Sequence, residues 1–247
     1  MRIAAIYDIH GNLPALEAVM AEIEPLDVDL LVVGGDVVAG PLPSETLALL
    51  RQTKIETAFV WGNAEAELLR CVAGKPIGGL SERANDEACW LAETLSSEEI
   101  DFIASWSNTF SVETADLGRI LFCHATPSSN IQVFTADTPA EMVGPIFAEV
   151  DADLVICGHT HRSFDMQIGG VRVVNAGSVG MPFASSGADW LLLDTAVLPQ
   201  HTDYDLDRAA VRIRASGYPH AEAFAGGNVL SSPSAAQVRQ MLTQIQR

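Results

Sequence analysis

Five short apolar runs in this 247-residue chain each stop at residues of a metal-binding type. Residues 3–7 run into Asp8-Ile9-His10, residues 30–33 into Gly34-Gly35-Asp36, and residues 58–61 into Gly62-Asn63. Residues 120–123 then run into His124, and residues 154–157 into Gly158-His159-Thr160-His161. Brief β-branched-rich runs bounded by Gly and polar turns form buried strands. In open α/β sheets, ligands gather just beyond the carboxyl ends of such strands. The pattern therefore predicts one site at which the strand ends converge. It would be built from Asp8, His10, Asp36, Asn63, His124, His159 and His161, with no thiolate among them.

The segments between these runs carry helix signals. Asn12 followed by Pro14 opens a helix to about residue 24, with Asn12 as its cap, and Pro43-Ser44 opens another. Residues 64–74 and 81–106 are mainly helical in pattern, with Ser96 to Glu99 as a capping-box start inside the second stretch, and a further helix covers about 138–149. From residue 109 the pattern turns to extended chain at 109–112, 120–123, 155–157, 163–168, 171–175 and 190–193, with Gly169-Gly170 as a hairpin turn. Strand and helix alternate in the first half and hairpins fill the second. This predicts an α/β fold, a four-layer αββα sandwich of two mixed β-sheets flanked by helices. One domain over 1–247 is expected. Its core spans about 1–195, and an appendage at about 200–247 holds a charged helix near 205–215, a Gly-rich loop at 225–227 and a final amphipathic helix after Pro233.

The formal net charge of −18 opposes binding of long nucleic acid, which needs a basic face. A small anionic substrate is compatible with that charge if bound cations reverse its sign locally. No apolar stretch of about 18 uncharged residues occurs, so no membrane span is expected. The first apolar run is too short for a signal-peptide core, and a cytoplasmic protein is expected. Cys71, Cys89, Cys123 and Cys157 show no CxxC spacing and read as buried, reduced thiols.

Two divalent cations about 3.5–4 Å apart need roughly four protein ligands each, one of them shared, with positions left open for water and substrate. The seven residues fit that count. A carboxylate, imidazole and amide set without sulfur suits Mn, Fe, Zn or Ni better than a structural zinc site. Such a pair acidifies a bridging water to give a hydroxide nucleophile and grips phosphoryl oxygens, so the expected chemistry is phosphoester hydrolysis.

In order along the chain, Asp8-x-His10, Gly35-Asp36, Gly62-Asn63, His124 and Gly158-His159-x-His161 resemble the motifs of the calcineurin-like metallophosphoesterases. The opening Tyr7 to Asn12 and the later Asn175-Ala176-Gly177-Ser178-Val179-Gly180 are similar to the small bacterial and archaeal phosphodiesterase branch, and the resemblance spans about residues 1–195. It implies that Asp8, His10, Asp36 and His161 hold one metal and that Asp36, Asn63, His124 and His159 hold the other. Asp36 would bridge them, and Asp36, Asn63 and His124 would carry catalysis. It also implies a small phosphodiester or phosphorylated metabolite as substrate. Much of the family places His directly after Gly-Asn, where it aids departure of the leaving group; this chain has Ala64 and then Glu65. Non-catalytic relatives on this fold, such as the retromer subunit that binds other proteins, lose ligands, whereas all seven are present here. A nucleotide-binding regulator with incidental hydrolysis is the other alternative.

Further residues have two readings. Glu65 is a solvated first-turn residue or a support for the ligands. Gly177 to Gly180 is a plain turn or a backbone lining of the pocket. His201 and His220 read as surface residues. Loops at 74–86, 126–136 and 181–188 are expected to set substrate selectivity.

Overall fold

The computed structural model describes residues 1–78, 81–183, 185–234 and 237–238. Its strands, in chain order, are β1 (Ile3–Ile6), β2 (Leu30–Val33), β3 (Glu56–Phe59), β4 (Thr109–Thr114), β5 (Gly118–Cys123), β6 (Leu154–Cys157), β7 (Phe164–Ile168), β8 (Val171–Asn175), β9 (Ala188–Leu193) and β10 (Val197–Thr202). Its helices are α1 (Leu13–Ile23), α2 (Pro43–Gln52), α3 (Asn63–Val72), α4 (Glu82–Thr94), α5 (Ser97–Ala104), α6 (Ala140–Phe147), α7 (Leu206–Arg214) and α8 (Ala221–Phe224).

Strand pairing gives two five-stranded mixed sheets, in the orders β10-β9-β1-β2-β3 and β4-β5-β6-β8-β7. In the first, β1, β2 and β3 are parallel and β9 runs antiparallel to β1. In the second, β5, β6 and β8 are parallel, with antiparallel strands at both edges. Because strand side chains alternate between faces, each central strand feeds two cores. Ala4 and Ile6 pack against Leu16, Val19 and Leu47 of the helices on one side. Ile3, Ala5 and Tyr7 point the other way, into the layer between the sheets, where they meet Ile120, Phe122, Leu154 and Ile156. Val155 and Cys157 on the outer face of the second sheet meet Val143 and Phe147 of α6. The outcome is the expected αββα layering.

Several boundaries differ from the sequence expectation. The 81–106 stretch is two helices, the second starting at the expected capping box of Ser96 and Glu99 after the chain turns extended at Leu95. The first sheet continues to Thr202 rather than ending near 195, since β10 pairs with β9 along its whole length; Pro199 is tolerated there because β10 is an edge strand. The expected Gly-rich loop is a π-helical turn, Ala225–Val229, with Ala225 and Val229 buried against Ile213, Tyr218 and Phe224. Gln237 and Val238 are helical, and the rest of the expected C-terminal helix lies outside the described residues. Cys123 and Cys157 are buried as expected, but Cys71 and Cys89 are half-exposed, with their sulfurs 3.1 Å apart across α3 and α4.

Candidate metal centre

The chain leaves its strands in an unusual backbone conformation. Six non-glycine residues have positive φ among the described residues, and five of them are Asp8 (52°), His10 (50°), Asp36 (50°), His159 (68°) and His161 (54°). Left-handed backbone is costly for side-chain-bearing residues, persists where the surroundings over-determine it, and clusters at functional sites. Here it turns successive side chains out of the strand direction and into one space. Backbone bonds fix the turns: Asp8 N–H donates to Gly35 O at 3.0 Å and His10 N–H to Asp36 O at 2.9 Å, while Gly158 N–H donates to His124 O at 2.8 Å.

All seven sequence-predicted residues meet in that space. The ligand atoms of Asp8, His10 and His161 lie within 4.8 Å of one another, as do those of Asp36, His124 and His159. One Asp36 oxygen is 3.8 Å from His10 Nε2 and the other 3.5 Å from His124 Nε2, so its carboxylate faces both groups. Asn63 Oδ1 sits 3.2 Å from His124 Nε2.

The imidazole tautomers follow from their other nitrogens. Nδ1 of His10, His124 and His161 lies 3.0, 2.9 and 3.1 Å from the carbonyls of Ala39, Gly34 and Met181. A carbonyl only accepts, so each Nδ1 carries the hydrogen and each neutral Nε2 presents a lone pair. Yet His10 Nε2 and His161 Nε2 face each other at 3.1 Å, and Asp8 Oδ1 and His159 Nε2 are buried with no hydrogen-bond partner. Acceptors facing acceptors in a buried space are what a cation resolves. Burial raises the Asp8 carboxyl, but the neighbouring His161, His124 and His10 outweigh it and hold it at about 2. Burial, and then His124, push His159 down to about 4.

The supports are also visible. Glu65 is fully buried, not solvated, and accepts from the backbone N–H groups of Asp36 (2.8 Å), Val37 (2.7 Å), Val38 (3.3 Å) and Gly62 (2.9 Å). Burial and then the Asp36 charge push its carboxyl up to about 7, against the pull of the Gly62 and Val37 N–H groups. Its spacing from Gly62 is that of a capping-box residue, and its burial decides for the supporting role over the solvated one. Gly177 to Gly180 is a structural turn and not a pocket lining: Val179 N–H and Gly180 N–H donate to Tyr7 O and Asp8 O, and the Ser178 hydroxyl also donates to Asp8 O at 2.7 Å. Asn12 caps α1 by accepting from Ala15 N–H. His201 lies at the surface, 2.6 Å from Asp189, and His220 meets the Tyr218 ring edge-to-face; neither joins the site.

A family model for the calcineurin-like phosphoesterase superfamily domain matches residues 1–197. The chain belongs to the calcineurin-like phosphoesterase superfamily. It is 26% identical over 196 residues to an uncharacterised protein of Methanocaldococcus jannaschii, a match that covers 73% of this chain and 76% of the relative. Among solved structures it is similar to a metallophosphoesterase from Sphaerobacter thermophilus at TM-score 0.72 and 23% identity, covering 94% of this chain and 98% of the other. A hypothetical protein from Pyrococcus horikoshii OT3 gives TM-score 0.77 at 18% identity, covering 92% and 99%. Superfamily members depend on two metal ions, and the two groups described above are candidates to hold them here.

Next to the metal groups of this calcineurin-like domain opens a cavity of about 380 Å³. All three segments expected to set selectivity reach it, the first through Ser81 and through Arg83 and Ala84, which belong to α4 rather than to a loop, the others through Ile131 and Val133 and through Met181 and Phe183. Ala64 lines it too, with a methyl group where much of the superfamily has His, while its N–H donates to Asp36 at 2.9 Å. The appendage contributes Tyr218, Phe224, Asn228 and Pro233 to the wall, which no sequence pattern had signalled.

Proposed function

We propose that the protein is a dimetal-dependent phosphoesterase that hydrolyses phosphodiesters or small phosphorylated metabolites. The observation that carries this reading is the facing of His10 and His161 Nε2 beside the buried, unpartnered Asp8 Oδ1 and His159 Nε2, held by left-handed turns. Asp8, His10, Asp36 and His161 would hold one ion, and Asp36, Asn63, His124 and His159 the other, with Mn, Fe, Zn or Ni suited to the donor set. Bound there, the ions supply Lewis acidity, acidifying water and drawing charge from phosphoryl oxygens.

The chain's own residues do the rest. The carbonyls of Ala39, Gly34 and Met181 lock three imidazoles in the tautomer that presents Nε2. Glu65 fixes the Asp36 turn, and Asp36, Asn63 and His124 would carry catalysis. The substrate is a small anionic phosphoester. Among the described residues no helix is long and apolar enough to cross a membrane. The acidic balance opposes long nucleic acid, and we place the protein in the cytoplasm.

The test is Asp36→Asn, which keeps shape but removes the charge shared by two cations. Metal-dependent phosphodiester turnover should fall at least about 100-fold. Near wild-type turnover in that variant would refute the assignment.

A further inference from the structure

We infer that the organic part of the substrate is a neutral aromatic or apolar body of at least phenyl size, seated on the cavity wall away from the metal ligands. The inference rests on the phosphoesterase reading for the phosphoryl end alone.

Three observations carry it. First, a cavity of about 380 Å³ is far larger than a phosphoryl group needs and falls in the range of pockets that enclose a whole small molecule. Second, once His10, Asp36, Asn63, His159 and His161 are assigned to the phosphoryl end, the remaining wall is dominated by Ala88, Leu91, Ile131, Met181, Phe183 and Phe224. The Phe183 ring lies 5.0 Å from that of His161, an aromatic platform directly beside a metal ligand. Ile131 is 51% exposed, an apolar side chain left uncovered where this cavity opens. Met181 adds a polarizable side chain that adapts to irregular shapes.

Third, the charges on the wall argue against a second anion. Arg83 is the only Lys or Arg lining the cavity among the described residues, and Glu87, which accepts from the Tyr218 hydroxyl, lines it too. Glu67 lines the wall as well. A polyphosphate or dicarboxylate would thus find two carboxylates against a single guanidinium among the described residues, whereas a neutral ring would find matching apolar surface. Tyr218 and Phe224 lie beyond residues 1–197 that the superfamily model matches, so this part of the wall is a feature of this chain's appendage.

The test is calorimetric titration of the manganese-loaded full chain with methylphosphonate, phenylphosphonate, 1-naphthylphosphonate and phosphonoacetate. Burial of an aromatic ring should tighten Kd by about 10-fold or more from methyl to naphthyl, and phosphonoacetate should bind no tighter than methylphosphonate. Ile131→Ser and Phe183→Ala, both on loops rather than in a core, should each shrink the naphthyl-to-methyl ratio by at least about 3-fold. Equal affinities for methyl and naphthyl, tightest binding of phosphonoacetate, or a ratio unmoved in both variants would overturn the inference. Turnover of a p-nitrophenyl phosphodiester in the same samples separates the two readings. Size-graded binding without turnover sinks the phosphoesterase reading and leaves the wall assignment standing; turnover with flat binding sinks the wall assignment alone.

Discussion

Glu65 concentrates most of what single residues do at this site without touching a ligand atom. Four backbone N–H groups converge on its carboxylate, three of them from the turn that carries Asp36. In Glu65→Gln one oxygen becomes an N–H₂ donor facing donors, so at least one buried N–H is orphaned at about 1–3 kcal/mol each. Metal affinity should drop about 10–100-fold as the turn loosens. Metal titration and thermal melting read both, and a variant indistinguishable from wild type in both would remove Glu65 from its supporting role. Ala64 makes the opposite case, a position defined by what its side chain lacks. A methyl group donates no proton, so the leaving oxygen departs with its own basicity, and a missing general acid costs about 10²–10⁴-fold. The value of kcat/KM across phosphodiesters of graded leaving-group pKa should therefore fall steeply, and Ala64→His should flatten the slope. A flat dependence in the wild type would show that another group already serves as the acid. The candidate ligands were legible in the sequence because each lies at or just past the end of an apolar run, with His10, Asp36, Asn63 and His159 directly beside Gly. Glu65 was ambiguous because its spacing fits both a solvated first turn and a buried support, and only three-dimensional burial distinguishes them.

At the scale of elements, the site exists because β1, β2, β3, β5 and β6 all stop at one level and let their turns interlock. Periodicity revealed the strands, since runs such as 30–33 and 154–157 have no alternative within a helix-length window. It did not reveal β10, whose Leu-Pro-Gln-His interior has no apolar alternation and is a strand only because β9 offers it an edge. The restart after Leu95 was signalled not by periodicity but by the capping box of Ser96 and Glu99. The interlock leaves no space at Gly62, between β3 and α3: a Cβ there would lie 2.0 Å from Asp36 Oδ1 and 2.3 Å from Asp36 N. The φ of Gly62, −89°, is open to any residue, so the penalty for Gly62→Ala is purely one of contact. The methyl must displace the Asp36 turn, and the variant should keep its folded circular-dichroism spectrum while losing bound metal by at least about 10-fold in affinity. Two full metal equivalents retained at wild-type affinity would show that the turn can shift without harm to the site.

The whole molecule joins a strongly acidic surface to a buried cluster that wants cations. The formal charge is −18, and at the centre Asp8 and Asp36 are 0% and 3% exposed amid four imidazoles whose lone pairs have no other use. The appendage packs beside the same site: Tyr204 accepts from Asn12, Arg212 pairs with Glu17, and Phe224 reaches the cavity, so the core and the appendage that sequence patterns separate near residue 200 meet beside the candidate metal groups. That union was not legible because it depends on long-range contacts between a polar helix and α1, which leave no periodic trace. A ligand that binds only the folded chain stabilises it by mass action, by about 2.7 kcal/mol at 100 times its Kd. For a domain of this size each kcal/mol moves Tm by roughly 2–4 °C. Chelation of the metal-loaded protein should therefore lower Tm by about 5–10 °C for each ion removed under such conditions. Added manganese should restore it at micromolar concentration. Relief of surface repulsion would also raise Tm in an acidic protein, but it depends on ionic strength rather than on the identity of the cation. Sodium chloride at the ionic strength of the manganese sample should thus leave Tm near its chelated value; full recovery with sodium would assign the effect to screening and not to the buried cluster.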